Sequence, residues 1–263
     1  MHALVFALLA LELGMNDVAA VYEEKTVTYT GGEYTGEVFK YRLLKPAKVE
    51  DGKKYPVILS LHGAGERGDD NLNQLKYLPE YMLSPENREK YPCYLIAPQC
   101  REKQKWSDAN WGERRSSEQA SEPTAQMQVA LQALRDTIKN YPVDTRRIYL
   151  TGLSMGGYGS WDLAMRHPEW FAAVAPICGG GDESRAERIK DLPIWAWHGD
   201  ADEAVPVDRS RRMIEAIQAA GGAPKYTELK DVGHNSWTPA YTDPQGVLPW
   251  MFEQRRASEA KLN

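Results

Sequence analysis

Cysteine is scarce in this chain of 263 residues: only Cys93, Cys100 and Cys178 occur. None of them forms a C-x-x-C pair, which argues against a zinc knuckle or a thioredoxin-like redox pair. The odd count leaves at least one thiol free. Cys100 and Cys178 each follow an apolar strand-like run. A disulfide between them is open, with buried free thiols the favoured state. No apolar run reaches membrane-spanning length. Basic excess is also missing: the net charge is -5, which leaves no electrostatic footprint for nucleic acid. Internal repeats and low-complexity segments are absent. What remains is a soluble globular composition, 42% hydrophobic and 26% charged, in a chain long enough for a continuous core.

The first twenty residues admit two readings. Ala3 to Leu11 form a short apolar segment, and Val18 with Ala20 would suit cleavage after Ala20. The missing basic residue upstream, with Glu12 and Asp17, favours a retained N-terminal helix instead. Export is the reading preferred, so a secreted or periplasmic protein is expected, and a cytoplasmic one otherwise. Residues 1–20 are then a signal or extension and residues 21–263 a single domain.

Along the chain, Thr26–Thr30 and Val38–Leu43 read as an antiparallel hairpin, with alternating residues and glycines between. Buried strands are expected at Val57–Leu61, Tyr94–Pro98, Ile148–Leu150, Ala172–Ile177, Pro193–Trp197 and Tyr226–Leu229. Asp69 to Arg88 carries Leu and Tyr spaced for one covering helix. Gln99 to Ala120 is a long loop of the kind that is usually functional. Ser121 is placed to cap a helix bearing Met127, Leu131, Leu134 and Ile138 on one face. Asp208 is placed to cap another, and Val247 to Arg256 closes the chain as a helix. Strands alternating with helices imply an α/β fold: a mainly parallel sheet of about eight strands, helices on both faces. Sites in such sheets form beyond the carboxyl ends of the strands.

One stretch combines that position with chemistry. Gly152-Leu153-Ser154-Met155-Gly156 fits G-x-S-x-G between a strand and a helix, which puts Ser154 on a strained, exposed elbow. A serine needs a base, and the base needs a carboxylate to fix its tautomer. Ser154, Asp202 and His234 follow successive strands in the order that such a sheet requires. Of the other histidines, His62 and His198 lie in His-Gly turns and read as bonded to loop backbone, and His167 ends the helix after Ser154. Asp200 competes with Asp202 but reads as bonded within its own turn. The two N–H donors needed by an acyl-transfer oxyanion are nominated at Met155 and Ala64, with Gly63 the alternative to Ala64. Trp106, Trp111 and Trp237 could present aromatic faces to a sugar or phenolic acyl group, or could simply pack; Trp195 and Trp197 read as core. No His/Asp/Glu set has metal-ligand spacing, so no metal and no cofactor is expected. The acidic loop Asp69–Asn71 reads as helix capping.

The motifs Leu61-His62-Gly63-Ala64-Gly65-Glu66-Arg67-Gly68, Ala97-Pro98-Gln99-Cys100, Gly152 to Gly157, His198 to Asp202 and Gly233-His234, in that order, resemble those of α/β-hydrolases. More narrowly they resemble single-domain esterases related to prolyl oligopeptidases, feruloyl and acetylxylan esterases of carbohydrate esterase family 1, and polyhydroxybutyrate depolymerases. The resemblance implies Ser154 as nucleophile, Asp202 as acid, His234 as base, and Ala64 with Met155 as oxyanion hole. It implies a serine esterase acting on a small-molecule or polysaccharide-linked ester, with neither membrane nor nucleic acid as partner. A peptidase or lipase is the runner-up, though the chain is too short for a gating propeller. A catalytically silent binding module is the alternative from another class.

Overall fold

The computed structural model describes residues 14–111, 113, 114 and 118–262. The apolar segment Ala3–Leu11 lies outside the described residues. The first described element is helix α1, Met15–Val21, which buries Val18 and Ala19 against Leu44 and Leu75.

Eight strands form one sheet in the spatial order β1-β2-β4-β3-β5-β6-β7-β8. They are β1 Glu23–Gly31, β2 Tyr34–Leu44, β3 Tyr55–Leu61, β4 Tyr94–Pro98, β5 Val143–Leu153, β6 Ala173–Ile177, β7 Trp195–Gly199 and β8 Lys225–Leu229. The β1/β2 and β2/β4 pairs are antiparallel, and every other pair is parallel. The expected α/β sheet is therefore present, and sequence pattern explains its layout. Strands β1 and β2 bury alternate residues, among them Val27 and Tyr29 facing Phe39, Tyr41 and Leu43. Strand β3 is buried along its whole length, as a central strand covered on both faces must be. Two core clusters lie on the two sides of the sheet.

Helix α4, Ala125–Asn140, places Met127, Ala130, Leu131 and Leu134 in the first cluster. Its cap is Thr124, whose hydroxyl accepts the Met127 N–H at 3.1 Å, rather than the expected Ser121. Ser121 instead gives its carbonyl to Arg166, at 3.0 Å. The single helix expected over Asp69–Arg88 is a 3-10 turn at Asn73–Leu75 followed by α2, Leu78–Tyr81, and α3, Pro85–Lys90. Pro79 and Pro85 each lack the N–H that a continuous helix would use, and Tyr77 has a positive φ of 66°. Ser84 caps α3 through Asn87. Asp208 opens α6, Asp208–Ala219, with Val207 as the cap residue. The chain's last helices are α7, Trp237–Thr242, which the pattern did not suggest, and α8, Val247–Glu253. Helix α8 stops short of Arg256, which donates its backbone N–H to the carbonyl of Arg146 in β5 at 3.0 Å. All three cysteines are buried free thiols.

Candidate active site

The site lies where β5 turns into α5, Met155–Arg166. Ser154 holds the turn with φ 54° and ψ -116°, a backbone that residues other than glycine adopt at a cost. The turn is possible because neighbouring backbones crowd it without side chains. A Cβ on Gly156 would fall 1.9 Å from the Leu61 carbonyl, and one on Gly152 2.4 Å from the Gly156 carbonyl. The end of β3 is thereby pressed against the start of α5.

Three side chains from three strand ends converge. Ser154 Oγ is 2.9 Å from His234 Nε2, and His234 Nδ1 is 2.7 Å from Asp202 Oδ2. Facing a carboxylate, Nδ1 carries the proton, which leaves Nε2 free to accept from the serine. The Asp202 side chain is fully buried, and its Oδ1 accepts the N–H groups of Ala204 and Val205, both at 2.9 Å. Burial by itself pushes this carboxyl up. The hydrogen bonds of His198 and His234 and the Val205 N–H outweigh it and hold Asp202 well below the usual carboxylate range. Asp200 takes no part: its Oδ1 accepts the Asp231 N–H at 2.7 Å, across to the loop that precedes His234 and not within its own turn as expected.

His198 bonds loop backbone, as its place in a His-Gly turn suggests, and also touches Asp202. Its Nε2 lies 3.2 Å from Asp202 Oδ2 and 3.0 Å from the Val205 carbonyl, and its Nδ1 2.8 Å from Ser210 Oγ. Nε2 faces two acceptors and so carries a proton.

The Met155 N–H belongs to the first turn of α5, where helical N–H groups have no partner within the helix. Ala64 opens the 3-10 turn Ala64–Glu66. The preceding carbonyl, that of Gly63, lies 2.6 Å from His62 Nδ1 and accepts the Glu66 N–H at 3.3 Å. Cys100 donates its N–H to His62 Nε2 at 2.9 Å, so the His62 proton sits on Nδ1 and points at Gly63. Burial lowers His62 from 6.5 to about 4, and it remains neutral near pH 7. Glu66, four residues after His62, is itself buried, which raises its carboxyl.

The three tryptophans separate. Trp106 is 1% exposed, donates Nε1–H to the His62 carbonyl at 3.0 Å, and packs on Gly159. The expectation that it presents a face to substrate is corrected: it is a core residue that pins the loop after β3. Trp111 is half-buried against the core, and its carbonyl accepts the Tyr158 hydroxyl one turn along α5 from Ser154. Trp237 stands edge-on to the His234 ring with centroids 5.3 Å apart, and Tyr77 packs on Trp237 at 5.3 Å. Tyr77 was not foreseen, because its polar surroundings read as a covering helix.

Among the described residues, one group of His, Cys, Asp or Glu donors is compact enough to hold a cation: Cys178, Asp202 and His234, within 4.8 Å of one another. Burial pushes the Cys178 thiol up to about 12, and the other two are committed to the hydrogen-bond chain. The donor set suits proton transfer better than ligation.

A mainly parallel sheet with a strained Ser elbow, an acid and a His beyond its strand ends defines an α/β-hydrolase. Residues 32–236 match the family described as "Putative esterase", and the chain belongs to that family. It is similar to a thermostable esterase of known structure, 37% identical with a TM-score of 0.80, covering 91% of this chain and 64% of that one. It is 27% identical over 228 residues to the probable feruloyl esterase C of Aspergillus terreus, covering 84% of this chain and 76% of that protein. It is 24% identical over 248 residues to an uncharacterised secreted protein of Arthroderma benhamiae, but spans only 24% of that protein's length.

Proposed function

We propose that this protein is a serine carboxylic ester hydrolase that works through an acyl-enzyme. The observation that carries the reading is the unbroken chain from Ser154 Oγ through His234 to Asp202, at 2.9 and 2.7 Å. In this mechanism His234 Nε2 takes the Ser154 proton while Oγ attacks the ester carbonyl carbon. The carbonyl oxygen becomes an oxyanion, which accepts the N–H groups of Met155 and Ala64. The tetrahedral species collapses, the C–O bond to the alcohol breaks, and His234 returns the proton to the departing oxygen. Water then attacks the acyl-enzyme with His234 again as base, the bond from the acyl carbon to Ser154 Oγ breaks, and His234 returns the proton to Oγ as the acid leaves. Asp202 holds the ring in the required tautomer and stabilises its positive form. No metal or cofactor enters this scheme.

The substrate class we infer is an acyl or feruloyl ester attached to plant polysaccharide. Membership of an esterase family and the likeness to a feruloyl esterase support it, as does the aromatic pair beside His234. Action outside the cytoplasm is part of the same reading, supported by the secreted relative; the N-terminal sequence of the mature protein tests it. The decisive experiment for the chemistry is hydrolysis of p-nitrophenyl acetate together with labelling by an organophosphonate. Turnover that vanishes in Ser154→Ala, with the label found on Ser154 in the wild type, is expected. Unlabelled enzyme, or turnover in the folded variant, would overturn the serine mechanism. Feruloyl, acetylated-xylan, long-chain and peptide substrates then rank the acyl and alcohol preferences.

A further inference from the structure

Tyr77 combines a partly exposed ring with a strained backbone at the start of α2. It is a large aromatic side chain with 36% of its surface exposed. Its backbone has φ 66° and ψ -114°, close to the φ 54° and ψ -116° of Ser154. Holding an aromatic residue with about a third of its surface in water in this conformation costs backbone strain that a glycine at the same place would not carry. Strained backbone of this kind collects where function holds it.

Its ring contacts lead to the site through Trp237. One side of the Tyr77 ring packs on Trp237, and Trp237 stands against His234. Burial, and then the nearby charge of Glu66, raise the Tyr77 phenol. Glu66 ends the 3-10 turn that Ala64 begins. Tyr77 is therefore one ring removed from His234, with the charge of Glu66 near its phenol.

The chemistry says which half of an ester passes there. The carbonyl oxygen is directed at the N–H groups of Met155 and Ala64. The leaving oxygen must come within reach of His234 Nε2 to collect its proton. Whatever is attached to that oxygen runs out past the groups packed on the imidazole, which are Trp237 and then Tyr77. The acyl chain, bonded to the same carbon in another direction, is led elsewhere. We propose that Tyr77, backed by Trp237, forms an alcohol-side subsite that takes the flat face of a ring on the leaving alcohol. This rests on the serine esterase reading. The shared chemistry is a ring face, which an aryl alcohol or a pyranose both offer.

The test uses esters that share one half. Ethyl acetate, phenyl acetate and the acetate of methyl β-xyloside differ only in alcohol and pass through the same acetyl-enzyme. Phenyl acetate and phenyl butyrate differ only in acyl group. Tyr77→Gly removes the ring but also relieves the backbone strain, which offsets part of the lost packing on Trp237, and a melting curve verifies that the variant is folded; Tyr77→Phe keeps the ring. In Tyr77→Gly, kcat/KM for at least one ring-bearing acetate should fall roughly ten-fold relative to ethyl acetate. The acetyl-to-butyryl ratio should stay constant, and Tyr77→Phe should resemble wild type. A loss confined to phenyl acetate assigns the subsite to aryl alcohols, and one confined to the xyloside assigns it to sugars. An equal loss for ring and ethyl alcohols, or a shift in the acyl ratio instead, would overturn the proposal. Binding of the product alcohols phenol and methyl β-xyloside, followed by saturation-transfer NMR, separates this from the reaction itself. Signal transfer present in wild type and lost in Tyr77→Gly supports the subsite even if the esterase reading fails. Transfer that survives the substitution, or is absent from wild type for both alcohols, counts against it.

Discussion

His62 Nδ1 lies 2.6 Å from the carbonyl oxygen of Gly63, and that carbonyl belongs to the same peptide unit as the Ala64 N–H. A peptide is planar and trans, so its N–H points away from its C=O. Fixing the Gly63 oxygen therefore fixes the direction in which Ala64 offers its hydrogen. The Cys100 N–H at 2.9 Å from Nε2 sets the tautomer, and Trp106 holds the His62 carbonyl at 3.0 Å. His62 thus positions the turn without touching a reacting atom.

The first prediction follows from that arrangement. His62→Ala should lower kcat by roughly 10- to 100-fold, less than or near the loss from deleting an oxyanion donor outright. KM should change far less, because the ground-state ester does not use the donor as fully as the tetrahedral species does. Steady-state kinetics, paired with affinity for a trifluoromethyl ketone analogue, check it. Affinity for the analogue should fall in step with kcat/KM. A variant that loses KM alone would mean that Ala64 does not serve the transition state.

His62 also sets an acid limit on stability. Its value is 6.5 when free and about 4 in the buried site. The unfolded chain therefore binds a proton that the folded chain refuses. The contribution is fully present above about pH 6.5, shrinks as pH falls, and is lost through pH 4. At about 1.4 kcal/mol per unit, it amounts to roughly 3 kcal/mol. Asp202, held below the usual carboxylate range, adds a further loss at lower pH. Thermal melting at pH 7, 5 and 4 should show the decline. In His62→Asn the slope between pH 7 and 4 should flatten, although the starting stability is lower.

Ser154→Ala should abolish ester hydrolysis on the order of 10⁴-fold or more while the sheet survives. The serine already sits in a strained conformation with its N–H on the Ile177 carbonyl at 2.9 Å, and alanine keeps that bond. Stability should therefore change little. Turnover of p-nitrophenyl acetate and a melting curve on the same sample decide it. Residual wild-type-like activity would remove Ser154 from the mechanism.

The outcome of sequence reading has physical reasons that differ by element. The strands were legible because a strand buried on both faces, such as Tyr55–Leu61, must be a short apolar run. The convergence of Ser154, Asp202 and His234 was legible because the expected chemistry restricts residue type and sheet topology restricts order. The region around Tyr77 was not, since hydrophobic spacing cannot register a positive φ, and prolines at 79 and 85 divide what the spacing joined. Trp106 was misread because a tryptophan in a long polar loop gives no sign that its ring turns inward to 1% exposure. Thr124 displaced Ser121 as cap because boundaries depend on one hydrogen bond rather than on a pattern.

The last prediction separates three groups that crowd one turn. Asp202 Oδ2 meets His234 Nδ1 at 2.7 Å and His198 Nε2 at 3.2 Å. Asp202→Asn keeps the shape but can offer His234 an N–H where it needs an acceptor, which favours the wrong tautomer. Turnover should fall by roughly 10³–10⁴-fold. Asp200→Asn retains an oxygen for the Asp231 N–H, now bound at 2.7 Å, so activity should stay within a few-fold of wild type. His198→Gln lies between: Asp202 still faces His234, but the fully buried His198 no longer steadies the carboxylate or satisfies the Val205 carbonyl. A loss of roughly ten-fold in kcat is expected, with a stability cost of about 1–3 kcal/mol for the unpaired buried groups. Kinetics on one ester and denaturant melts of the three variants give the ranking Asp202, His198, Asp200. A large loss for Asp200→Asn with a mild one for Asp202→Asn would move the acid two residues upstream. Equal losses for His198→Gln and Asp202→Asn would mean that the carboxylate orients the ring only while His198 holds it.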